Sequence, residues 1–391
     1  MSLSVLRGFQ FLIPLITLPY LVRTIGMENF GLVNFSLSLG MYFGAIIQFG
    51  FGITATREIA RHRNDLSKLA QIYSATLTAS VILALISAVL FILIVLTVEK
   101  FNAYLNLYLF TLAFVVFQSL FPIWFFQGIE KMKYIAFLSM GTSLMFLISL
   151  FLFVKREEDF FLVPLLQAIA AMITFVLTIV VIHKQFKINF KISHWTEVKT
   201  IYQEGWYAFV SQLAPNLYNN SAVFLLGMFT NNIAVGLYTA ATTIIGAAVS
   251  FGYILSNTFL PYLSRGLNQH KLFQVVMLGS GSLLTLIIFM FSGNITDFLF
   301  SVAGQEAAIY VQWLSFSILF TFAYLTYNTN YLMLNGNERI AKNISLYVSL
   351  FSFFNAIVLI CFYGVYGAIG SILIARFLMA YLSFWFYKKK D

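Results

Sequence analysis

Apolar residues in this chain come in long unbroken runs, and polar residues collect in the short stretches between them. Runs near the ~20 residues needed to cross a bilayer as a helix occur twelve times. They lie at roughly 3–24, 29–55, 70–97, 104–127, 134–154, 161–183, 206–229, 233–262, 272–294, 307–334, 340–363 and 367–387. Pro14 and Pro19 interrupt the first, and a tight turn over Tyr363–Gly367 separates the last two. The pattern predicts an all-α integral membrane protein. A transmembrane β-barrel is excluded, because its strands would alternate polar with apolar positions.

Composition sharpens this picture. The chain is 60% hydrophobic and only 9% charged, against about a quarter charged in soluble domains, so it cannot cover a water-facing surface. The net charge of +9 does not imply nucleic acid, because the cations sit in clusters between apolar runs, where they set topology and meet lipid head groups. Cys361 is the single cysteine, which rules out a disulfide framework or a cysteine metal site within one chain. Arg7 sits at the start of the first run, where a signal peptide would carry its cation, but no small-residue cleavage site follows, so that run reads as a retained helix.

Seventeen of the 23 Lys and Arg fall on one side of the membrane when twelve spans are threaded, and four (Arg23, Lys100, Lys155, Arg156) on the other. The richer side is expected to be cytoplasmic, with both termini there. The chain also repeats itself. Pro14 and Gly26 recur as Pro215 and Gly227, offset by 201; Phe30-Gly31-Leu32 recurs as Val235-Gly236-Leu237, offset by 205. Gln127-Gly128-Ile129-Glu130-Lys131 recurs as Asn335-Gly336-Asn337-Glu338-Arg339, offset by 208. This predicts two six-helix lobes, 1–183 and 205–391, in a parallel repeat. They are joined by a basic interfacial linker, 184–204, read as a helix at the cytoplasmic surface.

The stretch from Pro19 to Arg63 carries more specific information. It contains Pro19-Tyr20-Leu21, Arg23 and Ile25-Gly26, then Phe30-Gly31-Leu32 and Phe35, then Phe49-Gly50-Phe51, and then Ala55-Thr56-Arg57-Glu58-Ile59-Ala60 followed by Arg63. In this order the residues resemble the N-terminal signature of the bacterial polysaccharide (O-antigen, Wzx-type) flippases. These belong to a superfamily that includes the MATE multidrug exporters and the peptidoglycan lipid flippases. The resemblance implies a MATE-like fold of two helix bundles around a central cavity. The cargo it implies is an undecaprenyl pyrophosphate carrying an oligosaccharide repeat unit, moved across the bacterial inner membrane. A polysaccharide polymerase and chain-length machinery are the partners it implies.

Candidate functional residues follow from cost. A charge inside an apolar run is expensive and functional by default. Arg376 lies mid-span in the last run, and Arg7 near the end of the first, where snorkelling to the interface is the competing reading. Arg57 and Arg265 close the second and eighth runs, counterparts in the repeat. Guanidinium groups suit phosphate because they donate two parallel hydrogen bonds, so Arg7, Arg57, Arg265 and Arg376 are the candidate substrate contacts. Each also has an ordinary reading as a membrane anchor. Pro14 and Pro215 are candidate hinges, with a static kink as the alternative. In-span amides, among them Gln48, Gln118, Asn257, Asn328 and Asn330, and aromatics such as Trp124, Trp313, Tyr324 and Tyr327, could meet sugars or cross-link helices.

Enzyme signatures are lacking: there is no P-loop, no two histidines have metal-ligand spacing, and no cofactor is implied. The reading is a lipid-linked oligosaccharide flippase working by alternating access through a cationic cavity. A cation-coupled MATE-like drug exporter and a polymerase-type membrane enzyme are the alternatives. The first would usually need a carboxylate inside the membrane, and all fourteen acids fall at span ends or in loops.

Overall fold

The computed structural model describes residues 3–264, 270–300 and 304–390, with side chains from residue 13 onward except 213–219 and 390. Among these residues the fold is helical, without strands. The helices are α1 (Leu3–Gln48), α2 (Phe51–Arg61), α3 (Leu66–Thr97), α4 (Glu99–Asn102), α5 (Leu105–Leu120), α6 (Ile123–Gly128) and α7 (Met132–Phe153). They continue as α8 (Leu162–Phe186), α9 (Trp195–Phe229), α10 (Asn232–Leu263), α11 (His270–Phe300), α12 (Gly304–Tyr324) and α13 (Glu338–Lys390), with a π-helix at Leu325–Leu332.

Nine segments among the described residues are long and apolar enough to span a membrane. Two of these are double. α1 has 46 residues and α13 has 53, about 70 and 80 Å of helix against a ~30 Å hydrocarbon core. Each breaks once, at Gly26 (φ 79°) and at Gly364 (φ 53°), a backbone region that suits glycine. Splitting both gives eleven passes, and α9, with its apolar end Asn220–Phe229, makes the twelfth expected from the sequence. Gly367 explains why the second hairpin is tight: a Cβ there would lie 2.0 Å from the Leu359 carbonyl oxygen.

Helix starts follow local chemistry. Asp65 caps α3 by accepting from the Ser67 and Lys68 amides at 2.9 and 3.1 Å. Asn231 caps α10 through the Ala234 amide at 2.8 Å. The second pass of α1 stops at Phe49 and Gly50, both at positive φ, before α2 resumes. Gly50 is needed there twice over, because a Cβ would also meet the Phe209 amide nitrogen at 2.7 Å. The flanking rings settle the rest: Phe49 stacks on Phe209 at 4.7 Å, and Phe51 is buried.

The chain divides into two compact units, residues 1–10 with 36–216, and residues 11–35 with 217–391. The first carries a core around Phe51, Tyr73, Trp124, Phe125 and Phe126. In the second, a core forms around Tyr331, Leu332, Ile344 and Val348. The expected helix over 184–204 is corrected. α8 continues to Phe186, residues 187–194 are non-helical, and α9 starts at Trp195 and runs without a break to Phe229.

Candidate functional site

Arg376 lies in the second half of α13, roughly 18 Å along the helix from the Gly364 bend and 21 Å from its end. That places it far from both ends of the apolar pass. It is half-buried and donates to Ser317 Oγ on α12 at 3.0 Å. Ser317 in turn donates to the Leu314 carbonyl at 2.5 Å. An arginine has five N–H donors, so the serine contact orients the guanidinium while leaving donors for an anion. Phe377 packs edge-on to Phe320 one residue further on, at 5.4 Å.

Arg57 lies on α2, whose opposite face buries Phe51, Thr54, Ala55 and Ile59. Its side chain is half exposed and its Nε donates to Glu58 Oε1 at 3.3 Å, the same oxygen that takes Arg61 at 3.0 Å. Glu58 therefore holds two guanidinium groups in place. Arg63 pairs with Glu130 at 2.9 Å. That pair puts the loop after α2 at the same end of its unit as the loop after α6, as the charge threading requires.

The Arg7 side chain and all of Arg265 lie outside the described residues. Pro14 is exposed, and its carbonyl accepts from Thr17 Oγ1 at 3.3 Å. α1 stays helical through Pro14 and departs from helical dihedrals at Gly26 instead. Pro215 falls within the continuous α9, with its side chain outside the description.

Several candidates for sugar contact are packed away. Asn328 and Asn330 are fully buried in the π-helix: Asn328 Nδ2 donates to Ser383 Oγ at 3.3 Å, and Asn330 Nδ2 to Ser256 Oγ at 2.5 Å. They join helices. Trp124 packs on Tyr73 at 6.0 Å, and Tyr327 on Tyr387 at 5.0 Å. Gln48, Gln118 and Asn257, by contrast, are exposed within apolar spans. No group of three or more His, Cys, Asp or Glu that could hold a metal occurs among the described residues.

Residues 1–267 match the family described as polysaccharide biosynthesis protein. The chain belongs to that family. Two curated relatives are each named "Putative O-antigen transporter". The one from Escherichia coli (strain K12) is 28% identical over 71% of this chain, the match spanning 66% of that relative's length. The one from Shigella dysenteriae is 24% identical over 96% of both. In fold, this polysaccharide biosynthesis protein is similar to an inward-facing multidrug resistance MATE family transporter of the MOP superfamily. The TM-score is 0.67 at 14% identity, covering 100% of this chain and 95% of the other. It is also similar to the lipid II flippase MurJ in an inward closed conformation, with a TM-score of 0.56 at 16% identity over 92% and 87%. The MATE-like fold is thus established. The names of relatives and neighbours are those of transporters and a flippase, in agreement with the reading of the family member as a non-enzyme.

Sequence reasoning about this family member missed one residue. Arg23 was expected only as a sparse cation on the poorer side. Its Nε donates to the Leu299 carbonyl at 3.0 Å, and its Nη2 to the Phe298 carbonyl, capping the last turn of α11. The signal was present in the arginine of the Pro19-Tyr20-Leu21-x-Arg23 motif.

Proposed function

We propose that this protein is a flippase that moves lipid-linked oligosaccharide repeat units, carried on undecaprenyl pyrophosphate, from the inner to the outer leaflet of a bacterial plasma membrane. The observation that carries the proposal is Arg376, a guanidinium held mid-span by Ser317 in a chain of this family. A charge at that depth is costly unless it meets a counter-charge or water. A pyrophosphate supplies the counter-charge in the geometry that arginine favours. Arg7, Arg57 and Arg265 complete the proposed set of phosphate contacts. The exposed amides Gln48, Gln118 and Asn257 receive sugar hydroxyls, since a bare amide in an apolar span is better placed against water or sugar than lipid. Both termini face the cytoplasm, following the basic loops. An inside-negative potential then assists outward movement of an anion by about 2.3 kcal/mol per charge per 100 mV. Pro14 and Pro215 serve as the bends about which the first and seventh passes move. A polymerase and chain-length machinery take the exported unit.

The test is transport in liposomes holding a lipid-linked oligosaccharide in the inner leaflet, read by its accessibility to an external glycosidase. Arg376→Ala is expected to lose at least about tenfold in rate, the scale of a lost charged hydrogen bond, and Arg376→Lys to keep part of it. Full activity in Arg376→Ala rejects the assignment. Covalent change of the lipid-linked substrate would move the protein to the enzymes.

A further inference from the structure

The segment joining α8 to α9 alternates in polarity. Ile188, Phe190 and Ile192 are apolar, while Lys187, Asn189, Lys191 and Ser193 between them are polar. It is fixed to α3 by two hydrogen bonds one helical turn apart. The Lys191 amide donates to Ser74 Oγ at 3.2 Å and the Ser193 amide to Thr78 Oγ1 at 3.3 Å. Ile188 and Val198 anchor its two ends in the core, and Tyr202 Oη donates to the Ala79 carbonyl at 2.8 Å. Between these anchors a cleft of about 370 Å³ opens, lined by Val81, Ile82, Phe190, Ile192, Trp195 and Val198. That size is within the ~300–1,000 Å³ range of small-ligand sites.

The position of the cleft says what fills it. α3 is rich in hydroxyls up to Ser80 and, apart from Ser87, apolar from Val81 to Leu96. Beyond that point Leu85, Val89 and Leu93 are exposed, the signature of a face that meets lipid chains. The cleft continues this face at the level where α3 changes character. Ile192 is 83% exposed and Trp195 62%, which suits an interfacial depth and not water. The segment that borders it is basic. Lys184, Lys187, Lys191 and Lys199 are exposed. Glu197, the one acid between positions 184 and 199, is already held by Gln71 Nε2 at 2.8 Å.

We propose that this cleft is a binding site for an anionic phospholipid of the lysine-rich leaflet, with an acyl chain in the apolar cleft and the phosphate met by Lys187 and Lys191. The site lies within the first compact unit and is independent of the transported substrate. Bound there, the lipid pins the α8–α9 connection to α3.

The test is native mass spectrometry of the full-length protein with phosphatidylglycerol or phosphatidylcholine of identical chains. Wild type is expected to retain phosphatidylglycerol in preference. Lys187→Gln with Lys191→Gln should erase the preference, at about fivefold per lysine, while leaving weak chain binding. Val81→Trp, which fills the cleft, should reduce retention of both lipids. Ile192→Ser, at a position too exposed to threaten folding, should act in the same direction and decides the matter if Val81→Trp fails to fold. Equal retention of the two lipids by wild type, or unchanged phosphatidylglycerol retention in the double glutamine variant, overturns the proposal.

Discussion

Gly31 and Gly236 face each other in a reciprocal contact. A Cβ on Gly31 would fall 1.8 Å from the carbonyl oxygen of Asn232, and a Cβ on Gly236 would fall 2.4 Å from the carbonyl oxygen of Met27. Asn232 precedes Gly236 by four residues, and Met27 precedes Gly31 by four. The contact therefore maps onto itself when the two helices are exchanged, as a two-fold axis between repeated elements demands. The helix backbones touch, with the Met27 side chain packed beside Gly236, which is how small residues bring membrane helices together. Nothing larger than hydrogen fits at either position.

Gly31→Ala and Gly236→Ala should each lower the thermal midpoint of the protein in detergent. Overpacking a well-filled site costs about 1–3 kcal/mol, and here the obstacle is backbone, which cannot rotate away. Gly246→Ala is the control, since nothing lies within 4 Å of a Cβ there. It should be neutral or stabilising by roughly 0.5–1 kcal/mol, as expected of glycine replaced inside a helix. The two destabilising changes share one contact, so their double variant should cost less than their sum.

Arg23 gives a second prediction. It ties the end of the first pass to the last carbonyls of α11, Leu299 and Phe298, where a cation also meets the negative end of the helix dipole. Arg23→Ala should cost about 1 kcal/mol, reduced from the buried value because the residue is exposed. Arg23→Lys keeps the charge but not the fork, and should recover part of the loss. Amide hydrogen exchange in the last turn of α11 measures both.

The membrane passes were legible because their signal is long and redundant; losing any single residue would leave each run apolar. Glycines at the two hairpins were legible for the same physical reason that placed them, a backbone angle that other residues avoid. The repeat was legible only in part. Phe30-Gly31-Leu32 and Val235-Gly236-Leu237 are true counterparts at an offset of 205, whereas Gly26 turns the chain and Gly227 is helical against the Phe35 ring. At the third landmark, sequence similarity misaligns the halves by two residues. The structure shows the same helix cap twice, Lys131 N to Phe126 O with Glu130 at φ 58° and Asn337 N to Leu332 O with Gly336 at φ 72°. Their offset is 206. Gly128 is there to clear Ile59, and Gly336 to supply the angle, so identical letters answer different needs. The break before α2, the clamped non-helical linker and the burial of His270 all depend on partners distant in the chain, and local pattern cannot report them. The place of Arg376 within an apolar run was legible in the sequence, but its serine partner, 59 residues earlier, was not.

Asp159 supplies a pH-dependent prediction in the loop before α8. Its Oδ2 accepts the amides of Lys155 and Arg156, both at 2.8 Å. These backbone bonds hold its pKa below the ordinary carboxylate value of 3.8, aided by the Arg156 charge. A depressed folded pKa gives order that is present above the unfolded value and lost as pH falls through the folded one. The amides of Lys155 and Arg156 should therefore stay protected at pH 5 and lose protection below about pH 4. In Asp159→Asn the step should be absent, as amide exchange across pH 2.5–6 would show.

The π-helix yields the last prediction. Helix irregularities occur at matching places in the two halves: α5 breaks at Phe121 and Pro122 before α6, and an offset of 206 from there falls inside Leu325–Leu332. Proline makes the first break by removing a backbone donor. At the matching place in the second half, Leu325–Leu332, no proline is present, and the widened turn is held by side chains. Asn330 Nδ2 donates to the Leu325 carbonyl at 3.1 Å and to Ser256 Oγ on α10, while Asn328 ties the same turn to Ser383. Asn330→Leu removes the internal donor and leaves a buried carbonyl and a serine hydroxyl with one partner fewer, at about 1–3 kcal/mol. Ser256→Ala should cost less, since the Leu325 carbonyl keeps its donor. A double-variant cycle should show coupling of roughly 0.5–3 kcal/mol between them, read from thermal midpoints in detergent. Additive effects would mean that the widened turn is maintained by the apolar packing of Tyr327 and Tyr331 on Tyr387 and not by the amide.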